Sequence, residues 1–539
     1  MKPEEIRWAG DRARLLLCDS LATVLALNAL LRDTPLPGQI DLVPAAATLL
    51  VGFATPRQAR LAGPTLAGLD APPVDARAGR EITIDVVYDG EDLADVAAHT
   101  GLSTDQIVAA HTAQPWQAAF GGFAPGFFYM TGGDERLAVP RRESPRTRVP
   151  AGAVGLAGPF SAVYPKASPG GWQLIGRTDA QLWDISRAQP ALLQPGDRVR
   201  YRAVDTLAAE PGVAPEITAA AETKDGPALE ILSPGLQSLI QDMGRPGQAH
   251  IGVSASGAAD QTSARQANRL VGNALQAAVI ETVAAGLRVR ARGDTVLALS
   301  SAAAPGTIDG INGTRAAPPG TAFALHAGET LTLAAPTAGL RTYLGVRGGF
   351  DIAPTLGSRA TDTLAGLGPA ALTTGTEVPI ASPRPGQAVG HPEPMRQPAG
   401  NGSVELTVIA GPRDDWFDTA SRARLTDTVW QVSAASDRIG LRLQPAETDA
   451  AADTPVLKRA TQAELPSEGC VPGALQVPPD GAPILFLRDH PVTGGYPVIA
   501  VLASCDIDRA AQLAPGDTLR FRLAAPAPPV STRPEDQRP

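Results

Sequence analysis

Two stretches concentrate residues able to do chemistry. The first, Phe120–Met130 (FGGFAPGFFYM), places five aromatics and three glycines in a chain that is only 4% aromatic. Glycine lets backbone approach a ligand closely, and aromatic faces wall an apolar pocket. Phe123, Pro125, Gly126 and Phe127 are therefore candidate substrate contacts. The plainer alternative is a hairpin whose aromatics plug a barrel. Arg141, Arg142, Arg146 and Arg148 follow at once. A guanidinium grips a carboxylate or phosphate through two parallel hydrogen bonds. Next comes Ser168-Pro169-Gly170-Gly171-Trp172, a serine in a glycine-rich turn of the kind that nests an anion. Arg141, Arg146, Ser168, Gly170 and Gly171 are the anion- or nucleotide-binding candidates. A solvated basic edge and an ordinary turn are the plainer explanations.

The second stretch, Gly235–Asp260 (GLQSLIQDMGRPGQAHIGVSASGAAD), is polar and glycine-rich, which is unusual inside an ordered domain. Gln237, Gln241, Asp242, Arg245, His250, Ser254, Ser256 and Asp260 could converge on a polar substrate. Asn268, Asn273 and Glu281 follow on an expected helix and its exit. Gln and Asn recognise amides, and Asp, Glu or His move protons. Gln237, Asp242 and Asp260 are the catalytic candidates; Arg245, Ser256 and Asn268 are the substrate-binding ones. A last cluster holds Ser467–Gly469, Gln476, Asp489-His490 and Thr493–Tyr496. Cys470 sits beside Glu468 but has no evident His partner, so it reads as a buried structural cysteine.

Absences narrow the chemistry. No G-x-x-x-x-G-K-[ST] phosphate loop occurs. The six histidines never fall in a metal-ligand spacing, and the three cysteines never pair as C-x-x-C, so no metal site is expected. Met-Lys-Met, the biotin-attachment sequence, is missing, as is a Gly-Ser-rich segment of the amidase-signature type. Any work on ATP, biotin or an amide would then need machinery on another chain. The formal charge of −9 and the lack of a basic cluster argue against nucleic acid. No leader pattern or long apolar run is seen, so a cytoplasmic, non-membrane protein is expected.

The elements that must position these residues are mostly strands. The 55 glycines and 51 prolines approach a fifth of the 539 residues, which suits turn-rich β-modules. Residues 1–85 read as a small α/β domain. Its strands are Arg14–Cys18, Ala47–Phe53 and Glu81–Tyr88, and its helices are Ser20–Leu31 and Arg57–Leu69. Helices are expected over Asp92–His99 and Ser103–Ala113, the latter opened by a Ser103/Gln106 capping box. A repeat then appears. VPAGAVGLAG, SPGGWQLIG and LLQPGDRVRYR (149–202) return in order as VPGALQVPPDG, VTGGYPVIA and QLAPGDTLRFR (471–522), and LHAGETLTL (325–333) echoes the last of them. Three related antiparallel barrels follow, at 86–205, 227–381 and 403–523. Linkers are expected at 206–226 and 382–402, with a disordered tail at 524–539.

GGFAPGFFYM, PRRESPRTRVPAGAVGLAG and YPKASPGGWQLIGRT closely resemble the B subunit of the bacterial 5-oxoprolinase complex, also known as allophanate hydrolase subunit 1 or the kinase-inhibitor Kip family. GLQSLIQDMGRPG, GVSASGAAD, ANRLVGN and SEGCVPGALQVPPDGAPILFL resemble the C subunit, or allophanate hydrolase subunit 2. The chain is thus similar to a B–C fusion, as in the carboxyltransferase domain of urea carboxylase. The resemblance implies a mainly β fold with α+β parts: cyclophilin-like β-barrel modules plus a small N-terminal α/β domain. It implies ATP-dependent opening of 5-oxoproline to glutamate, with ATP bound in an assembled complex and a separate partner like the 5-oxoprolinase A subunit. A second copy of the chain is a further possible partner. Two alternatives stay open: a component of urea or amide carboxylation, and a binding protein that inhibits a histidine kinase.

Overall fold

The computed structural model describes all residues except 74–78, 143, 145, 209–225, 303, 396–401, 447–456, 462 and 525–539. Most of the first expected linker and the charged tail lie outside the described residues. Strands dominate, gathered into one small sheet, two seven-stranded barrels and a pair of stacked sheets between them.

The N-terminal unit has a four-stranded antiparallel sheet in the order Glu5–Trp8, Ala13–Leu17, Thr48–Phe53, Gln39–Pro44. Helices Leu21–Asp33 and Pro56–Ala67 cover one face. Each helix begins at a hydroxyl cap: Ser20 Oγ accepts from Thr23 N at 3.2 Å, and Thr55 Oγ1 from Gln58 N at 3.3 Å. These bonds satisfy first-turn N–H groups that have no partner within the helix. Alternate strand residues point to opposite faces. Leu16, Leu49, Val51 and Phe53 pack under the helices, whereas Leu15, Val43 and Leu50 pack outward against Ala249 and Val492. Burial on both faces explains why these strands read as continuous apolar runs.

The repeat in the sequence is a repeat in topology. The front barrel runs Glu81–Val86, Gln173–Arg177, Ala153–Ala157, Phe160–Val163, Phe128–Thr131, Trp116–Gly121, Arg198–Ala203, and the last strand lies parallel to the first, so Glu81–Val86, expected in the α/β domain, belongs to the barrel instead. A bridge between Val87 and Arg177 nearly closes it. The rear barrel is closed. Its order is Val404–Ala410, Val498–Leu502, Ala474–Gln476, Ile484–Phe486, Gly440–Pro445, Trp430–Val432, Thr518–Leu523, again with first and last strands parallel. Each barrel buries a tryptophan whose indole donates to the carbonyl five residues upstream, Trp116 to His111 (3.0 Å) and Trp430 to Leu425 (2.9 Å).

The third echo of the signature is arranged differently. Thr330–Leu333 pairs antiparallel with Leu287–Ala291 and Gly306–Gly310 in a six-stranded sheet, beside a five-stranded one. The L-x-x-G-[DE] pattern specifies a turn into a strand; it does not choose the strand's neighbour. Residues 382–395, read from composition as linker, fold back over helix Gln261–Leu270. Gly390 N donates to Leu270 O (3.0 Å), and Arg269 pairs with Glu393 (2.7 Å).

Candidate functional site

The polar loop 241–260 is held by buried partners. Asp242 accepts from Ser358 Oγ (2.5 Å) and Arg359 N (2.6 Å). Arg245 donates to the carbonyls of Thr355 and Ala360, with Asp362 at 4.0 Å. Ser256, in a left-handed conformation at φ 52°, gives its hydroxyl to Asp489 (2.6 Å). Asp260 caps helix Gln261–Leu270 through Ser263 N (2.9 Å) and also takes Gln512 Nε2 (3.0 Å). Asn268 braces the Ala277 carbonyl (2.8 Å). At the centre is buried Arg438, paired to Glu281 and Asp489 and donating to Gly257 O (2.6 Å). Burial disfavours its charge, but Asp489 and Glu281 outweigh that and hold it protonated. Gly244 and Gly257 let two backbones cross: a Cβ on Gly244 would meet Ala255 O at 2.4 Å. Gln237 begins strand Gln237–Gln241, apart from this network.

The aromatic-glycine segment is packed rather than open. Phe120, Phe127 and Tyr129 form one buried cluster with Tyr164 and Trp172. Pro125 is buried, and Gly126 N donates to Ile251 O (3.1 Å). Phe123 is left-handed at φ 62°, and its N–H donates to Thr493 Oγ1 (2.9 Å). The segment therefore joins the front barrel to loop 250–252 and to the rear barrel.

The anion candidates have protein partners of their own. Arg146 and Arg142 both hold Asp92 at 2.7 Å. Burial pushes the Asp92 carboxyl up, yet Arg146 and the other donors win and hold it low. Arg141 bonds Glu464 (3.1 Å) and Ser467 Oγ (3.2 Å). Ser168–Gly170 is a short strand paired with Arg146–Val149, and Gly171 O accepts from Arg142 N (2.8 Å). With the arginines engaged by carboxylates and no glycine-rich phosphate loop, this set does not fit a nucleoside triphosphate.

A cleft of about 300 Å³ opens where three units meet: the N-terminal sheet, loop 243–255 and the rear barrel. None of the fifteen catalytic, substrate-binding or anion candidates lines it, but the immediate neighbours of four of them do (Met243, Pro246, Ala255, Gln261), as do Ser254 and His490, which the sequence offers only within wider clusters. Asp11, Arg12 and Asp41 come from the front half, and Gln261, Arg488 and His490 from the rear. Asp41 accepts from Gly247 N (3.0 Å) and Ala249 N (3.3 Å), and burial lifts its carboxyl to about 6. Burial holds His490 neutral, with its pKa down to about 4. Asp11 accepts from Ser504 Oγ (2.9 Å). Cys470 also reaches the cleft, but burial pushes its thiol up to about 12, so it is no thiolate nucleophile. A carboxyl ionising near neutrality, a neutral imidazole and guanidinium groups within apolar walls can bind a small polar molecule and move its protons. Sequence reasoning named His490 only within a cluster and missed Asp41 and Arg488; the one available signal was a lone Asp in the strand QIDLVP. Among the described residues, no group of His, Cys, Asp and Glu is arranged to hold a metal ion. No described helix is long and apolar enough to cross a membrane.

Comparison with known proteins accounts for both halves. Residues 4–193 match the family model "Carboxyltransferase domain, subdomain C and D", and residues 251–523 match "Carboxyltransferase domain, subdomain A and B". The chain belongs to the carboxyltransferase-domain family. This carboxyltransferase-domain chain is 34% identical over 315 residues to the 5-oxoprolinase C subunit of Escherichia coli (strain K12), covering 58% of the chain and 96% of the relative. It is 53% identical over 125 residues to the 5-oxoprolinase B subunit of Escherichia coli O157:H7, covering 23% of the chain and 57% of the relative. Against Saccharomyces cerevisiae urea amidolyase it is 30% identical over 316 residues, which is 54% of the chain and 16% of that much longer protein. A crystal structure of TTHA0988 matches with a TM-score of 0.83 at 33% identity, covering 95% of this chain and 99% of that one.

Proposed function

We propose that the chain is the fused B–C component of an ATP-dependent 5-oxoprolinase. It would work with a separate protein like the 5-oxoprolinase A subunit to open 5-oxoproline to glutamate. The observation that carries this reading is the shared cleft, in which front-half Asp41 and rear-half Arg488 and His490 surround one small space. A lactam carries a neutral amide and, in 5-oxoproline, a carboxylate. A guanidinium suits the anionic or carbonyl oxygen, and Asp41, ionising near 6, exchanges protons readily at neutral pH. The nucleotide belongs on the partner chain, since the candidate anion-binding arginines of this one, Arg141 and Arg146 with their neighbour Arg142, are engaged by Asp92, Glu464 and Ser467.

The test is ATP-linked glutamate release from 5-oxoproline by the chain reconstituted with such a partner. Turnover is expected only with both proteins present, and Asp41→Asn should lower kcat by about tenfold or more. A reconstituted complex that releases no glutamate above background removes the reading. Carboxyl transfer is the second reading, favoured by the match to urea amidolyase over 54% of the chain. It expects carboxylation of urea or a related amide when a biotinylated carrier is supplied.

A further inference from the structure

The turn that follows Phe486 sends successive residues to different sides. Leu487 and Asp489 face inward, one in the rear-barrel core and the other on Arg438 and Ser256. Arg488 and His490 both face the cleft. His490 Nδ1 lies 2.8 Å from the Pro491 carbonyl oxygen. A carbonyl oxygen only accepts, so Nδ1 carries the ring proton and Nε2 is a bare lone pair. Among the described residues nothing donates to Nε2, and Phe486 stacks on the ring at 6.0 Å. Arg488 donates from Nη2 to Asp508 (3.2 Å), and Asp508 is itself fixed by Gln261 N (3.2 Å) and Thr262 N (3.1 Å) at a helix start. Its buried Nε has no partner, and no described residue accepts from Nη1. One short turn thus offers a fixed acceptor, His490 Nε2, beside a fixed donor, Arg488 Nη1, neither of them taken by a partner among the described residues.

Amides differ in how they present the complementary pair. An open-chain secondary amide is trans, so its C=O and N–H point in opposite directions. A lactam is held cis, and ureas and primary amides always have one N–H on the carbonyl side. Only the second arrangement meets an adjacent donor and acceptor at once. We propose that Arg488 and His490 read a cis-amide, the guanidinium donating to the ligand carbonyl and Nε2 receiving the ligand N–H. The assignment rests on the cleft being the substrate site, and it deepens that reading by naming what lactams and ureas share. It also implies rejection of open-chain secondary amides, for which one of the two buried groups would be left unpaired.

The test is calorimetric titration of the full chain, alone and with its partner. The probes are 5-oxoproline, its ring-oxygen isostere 5-oxotetrahydrofuran-2-carboxylate, which lacks the N–H, and the open-chain N-acetylalanine. The lactam is expected to bind about tenfold or more tighter than the lactone, and N-acetylalanine weakest of all. His490→Phe should bring the lactam-to-lactone ratio near one. His490→Gln, which keeps an acceptor, should retain part of the preference, and Arg488→Met should weaken lactam and lactone alike. Equal affinity for lactam and lactone in the unmodified protein overturns the proposal. So does an unchanged ratio in His490→Phe, or binding of no probe at all. Should His490→Phe fail to fold, the ratio in the unmodified protein and in His490→Gln decides. Lactam preference without glutamate release would keep the cis-amide reader and remove the hydrolase reading; release without preference would do the reverse.

Discussion

Asp41 stands on strand Gln39–Pro44 with its carboxylate turned to the N–H groups of Gly247 and Ala249. Burial raises its pKa from 3.8 to about 6, and the two backbone donors only partly offset that rise. The folded chain therefore holds this proton more tightly than the unfolded chain does. Stability from the protonated form is complete below the unfolded pKa and is lost as pH climbs through about 6. Asp41→Asn cannot ionise, and its carboxamide oxygen still accepts one of the two N–H groups. The variant should therefore gain on the unmodified protein as pH rises from 4 to 7.5, by an amount on the order of 2 kcal/mol. Denaturant melts of both proteins across that range measure the difference, and a gap that does not change with pH would sink the assignment.

Between single residues and the whole chain, the buried ionic network ties elements together. Arg438 follows the turn after strand Trp430–Val432, Glu281 lies on Val279–Val283, and Asp489 lies within the cleft turn between Arg488 and His490. Removing one charge from such a set leaves the others buried and uncompensated. Arg438→Met is expected to cost about 3–5 kcal/mol, read by chemical denaturation, and adding Glu281→Gln and Asp489→Asn should recover part of it. The same network shows why the site was harder to read than the fold. The capping box at Ser103 and Gln106 is a local signal, and it is present in the structure. The Val-Pro and PGD landmarks are local too, so two barrels of one topology were legible. Asp242, Ser256 and Asp260 look unsatisfied in sequence because their partners Ser358, Asp489 and Gln512 lie 116, 233 and 252 positions away. Asp41 and Arg488 meet only through tertiary packing of opposite halves, a proximity that spacing does not encode.

At the scale of the molecule the halves are interlocked rather than side by side. The N-terminal sheet of the front half buries Leu15, Val43 and Leu50 against Val492 of the rear barrel, and Asp11 holds Ser504. In the other direction Ile251, Val253 and Leu367, from loops of the middle part of the chain, enter the core of the front barrel. The barrels also touch directly through Phe123 with Thr493 and Tyr129 with Ser467. Each half thus covers apolar surface of the other, and the cleft needs Asp41 from one and His490 from the other. Burial of this kind, and not the covalent link, supplies the association energy; the link only raises the effective concentration of one half for the other. Residues 1–208 and 226–539 produced as separate polypeptides in one cell should therefore copurify one to one. The pair should melt within a few degrees of the intact chain at micromolar concentration and show the same ligand affinities. Dilution should lower the melting temperature of the split pair and leave that of the intact chain unchanged, because only the former dissociates. Two halves that elute separately, each folded, would show that the linker and not the interlocked faces builds the cleft.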